Sequence, residues 1–117
     1  MITNNVIQEK SFAFAIRIVN AYKYLISEKK EFVLSKQLLR CGTSIGANVE
    51  EAIGGQSKAD FISKLSIAYK EARETLYWLK LLFATEFLRK EMADSLIADA
   101  EEICRIIGKI QITMKQS

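Results

Sequence analysis

The groups in this sequence that could do covalent or metal chemistry are four glutamates, Glu50, Glu51, Glu71 and Glu74, and three nucleophile-bearing residues, Cys41, Ser44 and Cys104. Carboxylates presented by neighbouring helices are the donors of dimetal bundles, but those sites draw on Glu-x-x-His segments, and this chain has no histidine. The same lack removes the imidazole that would activate Ser44 or either thiol. Two distant cysteines without a CxxC pair fall short of a structural zinc site. On apolar helices they read as small buried hydrophobes. The residues therefore point to a non-enzymatic protein with no cofactor and no metal.

What remains is a polar stripe. Gln37, Arg40, Ser44, Asn48 and Glu51 recur at steps of three or four, which places all five on one face of an α-helix. Leu38, Gly42, Ile45, Val49 and Ala52 form a neighbouring face suited to close packing. In an antiparallel hairpin joined near Gly55, residues whose numbers sum to roughly 111 to 115 lie side by side. Arg40 then falls beside Glu71 or Glu74, and Glu51 beside Lys64. The stripe reads as an interhelical network that sets register, with a ligand- or partner-binding face as the alternative. If the pair is buried, Arg40→Ala should cost about 1–3 kcal/mol by stranding a carboxylate.

A second group of side chains could meet phosphate. Lys58, Lys64, Lys70, Arg73 and Lys80 lie on the third helix, and Lys23, Lys29 and Lys30 close the first. They are candidates for contact with RNA or DNA. The plainer reading is a solvated face on which Lys70 pairs with Glu74 one turn on. Seventeen basic residues against fourteen acidic ones leave a net charge of +3, too mild to name a partner by itself.

These residues need long helices to position them, and the composition supplies them. The 117 residues include no proline, five glycines and 50% hydrophobic residues. That suits one domain over residues 1–117, with nothing to break a helix from within. The first helix should run from about Asn5 to Ser27, with an apolar stripe at Phe12, Ala15, Val19, Tyr22 and Ile26, widened by Phe14, Ile18 and Leu25. Glu28 to Leu34 forms a joint with Phe32 tucked against the bundle. The second helix should start at an Ser35 N-cap and close at Gly54 and Gly55, where glycine suits a left-handed residue. Ser57-Lys-Ala-Asp60 carries the capping-box pattern, opening a third helix that reaches about Thr85. Its core stripe is Phe61, Leu65, Ala68, Ala72, Leu76, Leu79 and Phe83. The fourth, from about Lys90 to Lys115, has a heptad seam at Ala93, Leu96, Ala100, Ile103, Ile107, Ile110 and Met114. Short joints between four amphipathic helices give an all-α, antiparallel up-down-up-down four-helix bundle.

The run from Leu76 to Leu88 is apolar around most of its circumference, more than one side of a bundle helix needs. Tyr77, Trp78, Leu81 and Leu82 are thus expected at a homo-oligomer contact. No apolar run reaches the ~20 residues that span a bilayer, and the start of the chain lacks an apolar signal core. No membrane and a cytoplasmic location are the expectation, with both thiols reduced.

The run Leu34-Ser-Lys-Gln-Leu-Leu-Arg40, followed by Thr43-Ser-Ile-Gly-Ala-Asn-Val-Glu-Glu-Ala52, resembles the bacterial 23S rRNA intervening-sequence proteins. Ser57-Lys-Ala-Asp-Phe61, Ile67-Ala68, Lys70-Glu-Ala72 and Glu74-Thr-Leu-Tyr-Trp-Leu79 continue the likeness. The resemblance implies a four-helix bundle assembled as a ring, commonly a homopentamer. Some members are encoded within sequences that interrupt ribosomal RNA genes, and a relative from diversity-generating retroelements binds nucleic acid and a reverse transcriptase. It also implies that Arg40, Ser44, Asn48 and Glu51 are signature polar positions. Nucleic-acid or ribonucleoprotein association is the role it favours. A protein-interaction scaffold with a protein partner is the alternative.

Overall fold

A computed structural model of the chain describes residues 2–116, with side chains from Val6 onward. Met1 and Ser117, the two ends of the expected domain, lie outside the described residues. The chain forms four α-helices and, among the described residues, no strand: α1 Ile2–Ser27, α2 Leu34–Ile53, α3 Lys58–Ala84 and α4 Lys90–Gln116. α1 packs on α2 and α4, and α3 packs on the same two, so α4 closes the bundle against α1. The bonds across that closing face give the direction. Arg17 donates to Asp99 at 2.5 Å and to the Ser95 hydroxyl at 3.0 Å, while Lys10 reaches Glu102 at 3.2 Å. Residue numbers run oppositely on the two helices, as up-down-up-down order requires. The bundle measures 47 × 20 × 19 Å.

The core is a continuous apolar column. α1 contributes Ile7, Phe14, Ile18 and Leu25; α2 Leu38, Ile45 and Val49; α3 Leu65, Ala72, Leu79 and Leu82; and α4 Leu96, Ile103 and Ile107. The α1 face differs from the stripe expected there. Of that stripe, Phe12 is 68% exposed and Ala15, Val19, Tyr22 and Ile26 are only half-buried, whereas the widening set Phe14, Ile18 and Leu25 faces inward. α1 is apolar on two sides, and packing against α2 selects between them. A Cβ placed on Gly42 would lie 2.8 Å from both Cγ1 and Cγ2 of Ile18, and one on Gly46 would lie 3.3 Å from the Ser11 carbonyl oxygen. The two glycines let α2 approach so closely that the Ser11–Ile18 side of α1 is drawn in. At the end of α3, Leu82 rather than Phe83 turns inward.

The helix ends also depart from the expected chemistry. Ser35 does not cap α2. Glu31 does, its carboxylate accepting from the backbone amides of Val33 (3.3 Å), Leu34 (3.1 Å) and Ser35 (2.6 Å), while the Ser35 hydroxyl donates to the Glu31 carbonyl at 2.7 Å. Turning Glu31 inward turns its neighbours outward, so Phe32 and Val33 face solvent. The left-handed residues are not glycines but Lys30 (φ 55°) and Glu86 (φ 68°). Glu86 closes α3 in a Schellman arrangement, with Phe87 N–H donating to Leu82 and Glu86 N–H to Phe83. Gly54, at φ −82°, ends α2 without that twist. At α3 the serine cap is in place: Ser57 Oγ accepts from Asp60 N–H at 3.0 Å.

Candidate nucleic-acid interface

The polar stripe of α2 faces α3, and the structure brings part of it together. Arg40 donates to Glu71 at 3.5 Å and to Glu74, and Glu74 also accepts from the Trp78 indole N–H at 2.9 Å. Glu51 pairs with Lys64 at 2.9 Å. Ser44 and Asn48 bond within α2 instead, the Asn48 amide donating to the Ser44 carbonyl at 2.8 Å, and Gln37 is exposed. The expected interhelical pairs are therefore at the surface, with the Arg40 side chain 51% exposed. Solvent screening lowers their worth. Arg40→Ala is expected to cost about 0.5–1 kcal/mol, checked by thermal melting against the wild type.

Glu71 and Glu74 are thereby taken up by Arg40, and no group of three or more Cys, Asp or Glu side chains is placed to hold a metal among the described residues. Both thiols are buried. Burial pushes the Cys41 thiol up to about 11, against the opposing hydrogen bond of Thr75, and burial likewise raises Cys104. Neither is poised as a thiolate.

The expected subunit-contact residues divide. Leu82 is fully buried inside the subunit and is not available to a second copy: the α3 backbone phase that ends at Glu86 points it into the core. Trp78 and Leu81 are half-buried, and Tyr77 is 58% exposed. The larger apolar surplus lies on α1, where Phe12 and Ile16 stand one turn apart.

The candidate phosphate ligands divide as well. Lys58 sits on the first turn of α3, and Lys64 faces α2, paired with Glu51. Lys70, Arg73 and Lys80 follow one another along the outward side of α3, with Tyr77 between the last two; at 100° per residue the four span about 80° of arc. Among the described residues, no ion pair ties Lys70, Arg73 or Lys80 to an acid. Glu74, the expected partner of Lys70, is held by Arg40 and Trp78. Between α3 and α4 the surface dips into a groove of about 350 Å³ lined by Tyr69, Arg73, Leu76, Lys80, Glu101, Cys104 and Arg105. Three cations face one carboxylate there. Arg105 was not among the residues the sequence singled out. Its signal is weak, because only the packing of α4 on α3 shows that it shares a groove with Arg73.

The sequence profile of the 23S rRNA-intervening sequence protein matches residues 3–109. The chain belongs to that family. A solved structure of a protein of unknown function from the S23 ribosomal protein family of Bacteroides thetaiotaomicron VPI-5482 is 55% identical, with a TM-score of 0.92 over 93% of this chain and 97% of that one. No curated protein matched the chain. In this fold Arg40 pairs with Glu71 and Glu74 and Glu51 with Lys64 across α2 and α3, while Gly42 and Gly46 let α1 and α2 approach closely. No described helix is long and apolar enough to cross a membrane.

Proposed function

We propose that the protein is a non-catalytic, self-associating nucleic-acid-binding module. The observation that carries this reading is the row Lys70, Arg73 and Lys80 with Arg105 across the groove, four cations outside the ion pairs of the described residues, with Glu101 the one carboxylate lining the groove. Unpaired cations on a rigid helical face bind phosphate by releasing counterions, so affinity falls with salt, by about 0.7 in log–log slope for each phosphate contacted on a single strand. Family membership, with its link to ribosomal RNA genes, supports the same direction. Repetition of a modest patch around a ring would add avidity.

Self-association follows from the other surface. Phe12 and Ile16, 68% and 50% exposed, form an apolar strip that a second copy would cover. A pentamer, as the resemblance implies, would have five times the 13.3 kDa subunit mass. Light scattering on wild type and on the Phe12→Glu, Ile16→Glu double variant tests this; the variant is expected to run as a monomer with its helicity intact. A monomeric wild type at micromolar concentration would instead favour the protein-scaffold reading, with the α1 strip as the docking face.

For nucleic acid, the test is retention of labelled RNA across a salt series. Arg73→Gln, Lys80→Gln and Arg105→Gln combined are expected to weaken binding more than about tenfold near 100 mM salt and to flatten the salt slope. Absence of binding by the wild type near 50 mM salt overturns the proposal.

A further inference from the structure

We propose that the α3–α4 groove takes a single-stranded polynucleotide and not a duplex, with Tyr77 stacking on an exposed base while Arg73, Lys80 and Arg105 hold the adjoining phosphates. This rests on the nucleic-acid reading above and specifies its ligand. Three observations converge. Tyr77 is more than half exposed yet stands four residues after Arg73 and three before Lys80, on the same face, where a solvated surface has no use for an aromatic ring. Its ring is not loose: it meets Trp78 edge-on, with centroids 5.1 Å apart and planes at 77°. The Trp78 indole N–H is in turn anchored on Glu74, which Arg40 holds from α2. Finally, the groove beside it, about 350 Å³ with three cations against Glu101, is of a size to seat individual nucleotide groups.

The physical reasoning separates the two ligand forms. A duplex keeps its base faces stacked and offers this surface only phosphates, so an exposed tyrosine would contribute nothing to binding it. A single strand presents unstacked bases, and an aromatic platform among cations gains from both stacking and charge, largely without regard to sequence. The platform is set before the ligand arrives, because Arg40, Glu74 and Trp78 already hold it.

Trp78 is the only tryptophan, so its fluorescence reports this spot alone. The experiment titrates the full chain with a single-stranded RNA of about 12 nucleotides, within the range of single-strand binding sites, and with a duplex of the same length. Quenching of Trp78 by the single strand and none by the duplex is expected. Tyr77→Ala should weaken single-strand binding about 5- to 30-fold with the salt slope unchanged, and Tyr77→Phe should stay within about twofold. If the duplex binds as tightly as the strand, or Tyr77→Ala binds as well as wild type, this inference fails while the nucleic-acid function stands. If wild type binds neither RNA, both fail. The quenching comparison needs only the wild type, so the result does not depend on how Tyr77→Ala folds.

Discussion

Gly42→Ala is expected to destabilise the fold by about 1–2 kcal/mol, against the ordinary preference of helices for alanine. In an open helical position the exchange would gain about 1 kcal/mol. At Gly42 the new methyl would lie 2.8 Å from two carbons of Ile18. Those carbons branch next to the backbone of a fully buried residue, so they cannot swing away. Relief requires α1 and α2 to separate, and overpacking of that kind costs about 1–3 kcal/mol. Gly108 is the control, because a Cβ there meets nothing within 4 Å, and Gly108→Ala should raise the melting temperature. A second background makes the cause explicit. With Ile18 already alanine, Gly42→Ala should cost nothing or stabilise, a non-additivity that a double-mutant cycle measures directly. Equal losses in both backgrounds would rule out the Ile18 contact as the source.

The second large effect is expected at Glu31. Glu31→Ala leaves three amides at the start of α2 without their acceptor and should cost about 2 kcal/mol, the upper end for a helix cap. The residue also sets a pH dependence. Burial pushes its carboxyl upward, but the bonds from the Ser35, Leu34 and Val33 amides outweigh that and hold it below the ordinary value of 4.5. A carboxyl whose folded value is depressed contributes stability that is fully present above its unfolded value and is lost as pH falls through the folded one. Denaturant melts of wild type and Glu31→Gln should therefore differ near neutral pH and converge as acidification carries the pH below 4.5 and through the depressed folded value. A difference that persists unchanged into acid would show that shape, not charge, holds the cap.

Much of the architecture was legible before folding was considered. The absence of proline, the spacing of apolar residues on α4, and the Ser57–Asp60 signature each depend on residues near one another in the chain, and local spacing is what a sequence displays. The pairing of Arg40 with Glu71 and Glu74, and of Glu51 with Lys64, could be written down from helix hairpin arithmetic alone, because one short joint sets the register of α2 on α3.

Other features depended on which surfaces meet. α1 carries apolar residues on two sides, so its periodicity was compatible with two core faces; the missing side chains of Gly42 and Gly46, on a different helix, decided for Ile18 and left Phe12 outside. The cap of α2 came from Glu31, outside the capping pattern, because a left-handed Lys30 folds the joint back on itself. Leu82 entered the core and Phe83 left it for a comparable reason at the Glu86 turn. Arg105 joined Arg73 and Lys80 only when α4 lay against α3. The chain by itself determined helix type, number and the α2–α3 register, since these follow from contacts a few residues long or across one tight joint. The tertiary structure decided the burial of α1, the exposure of Arg40 and the composition of the basic groove, since each arises where helices distant in the chain exclude water from one another.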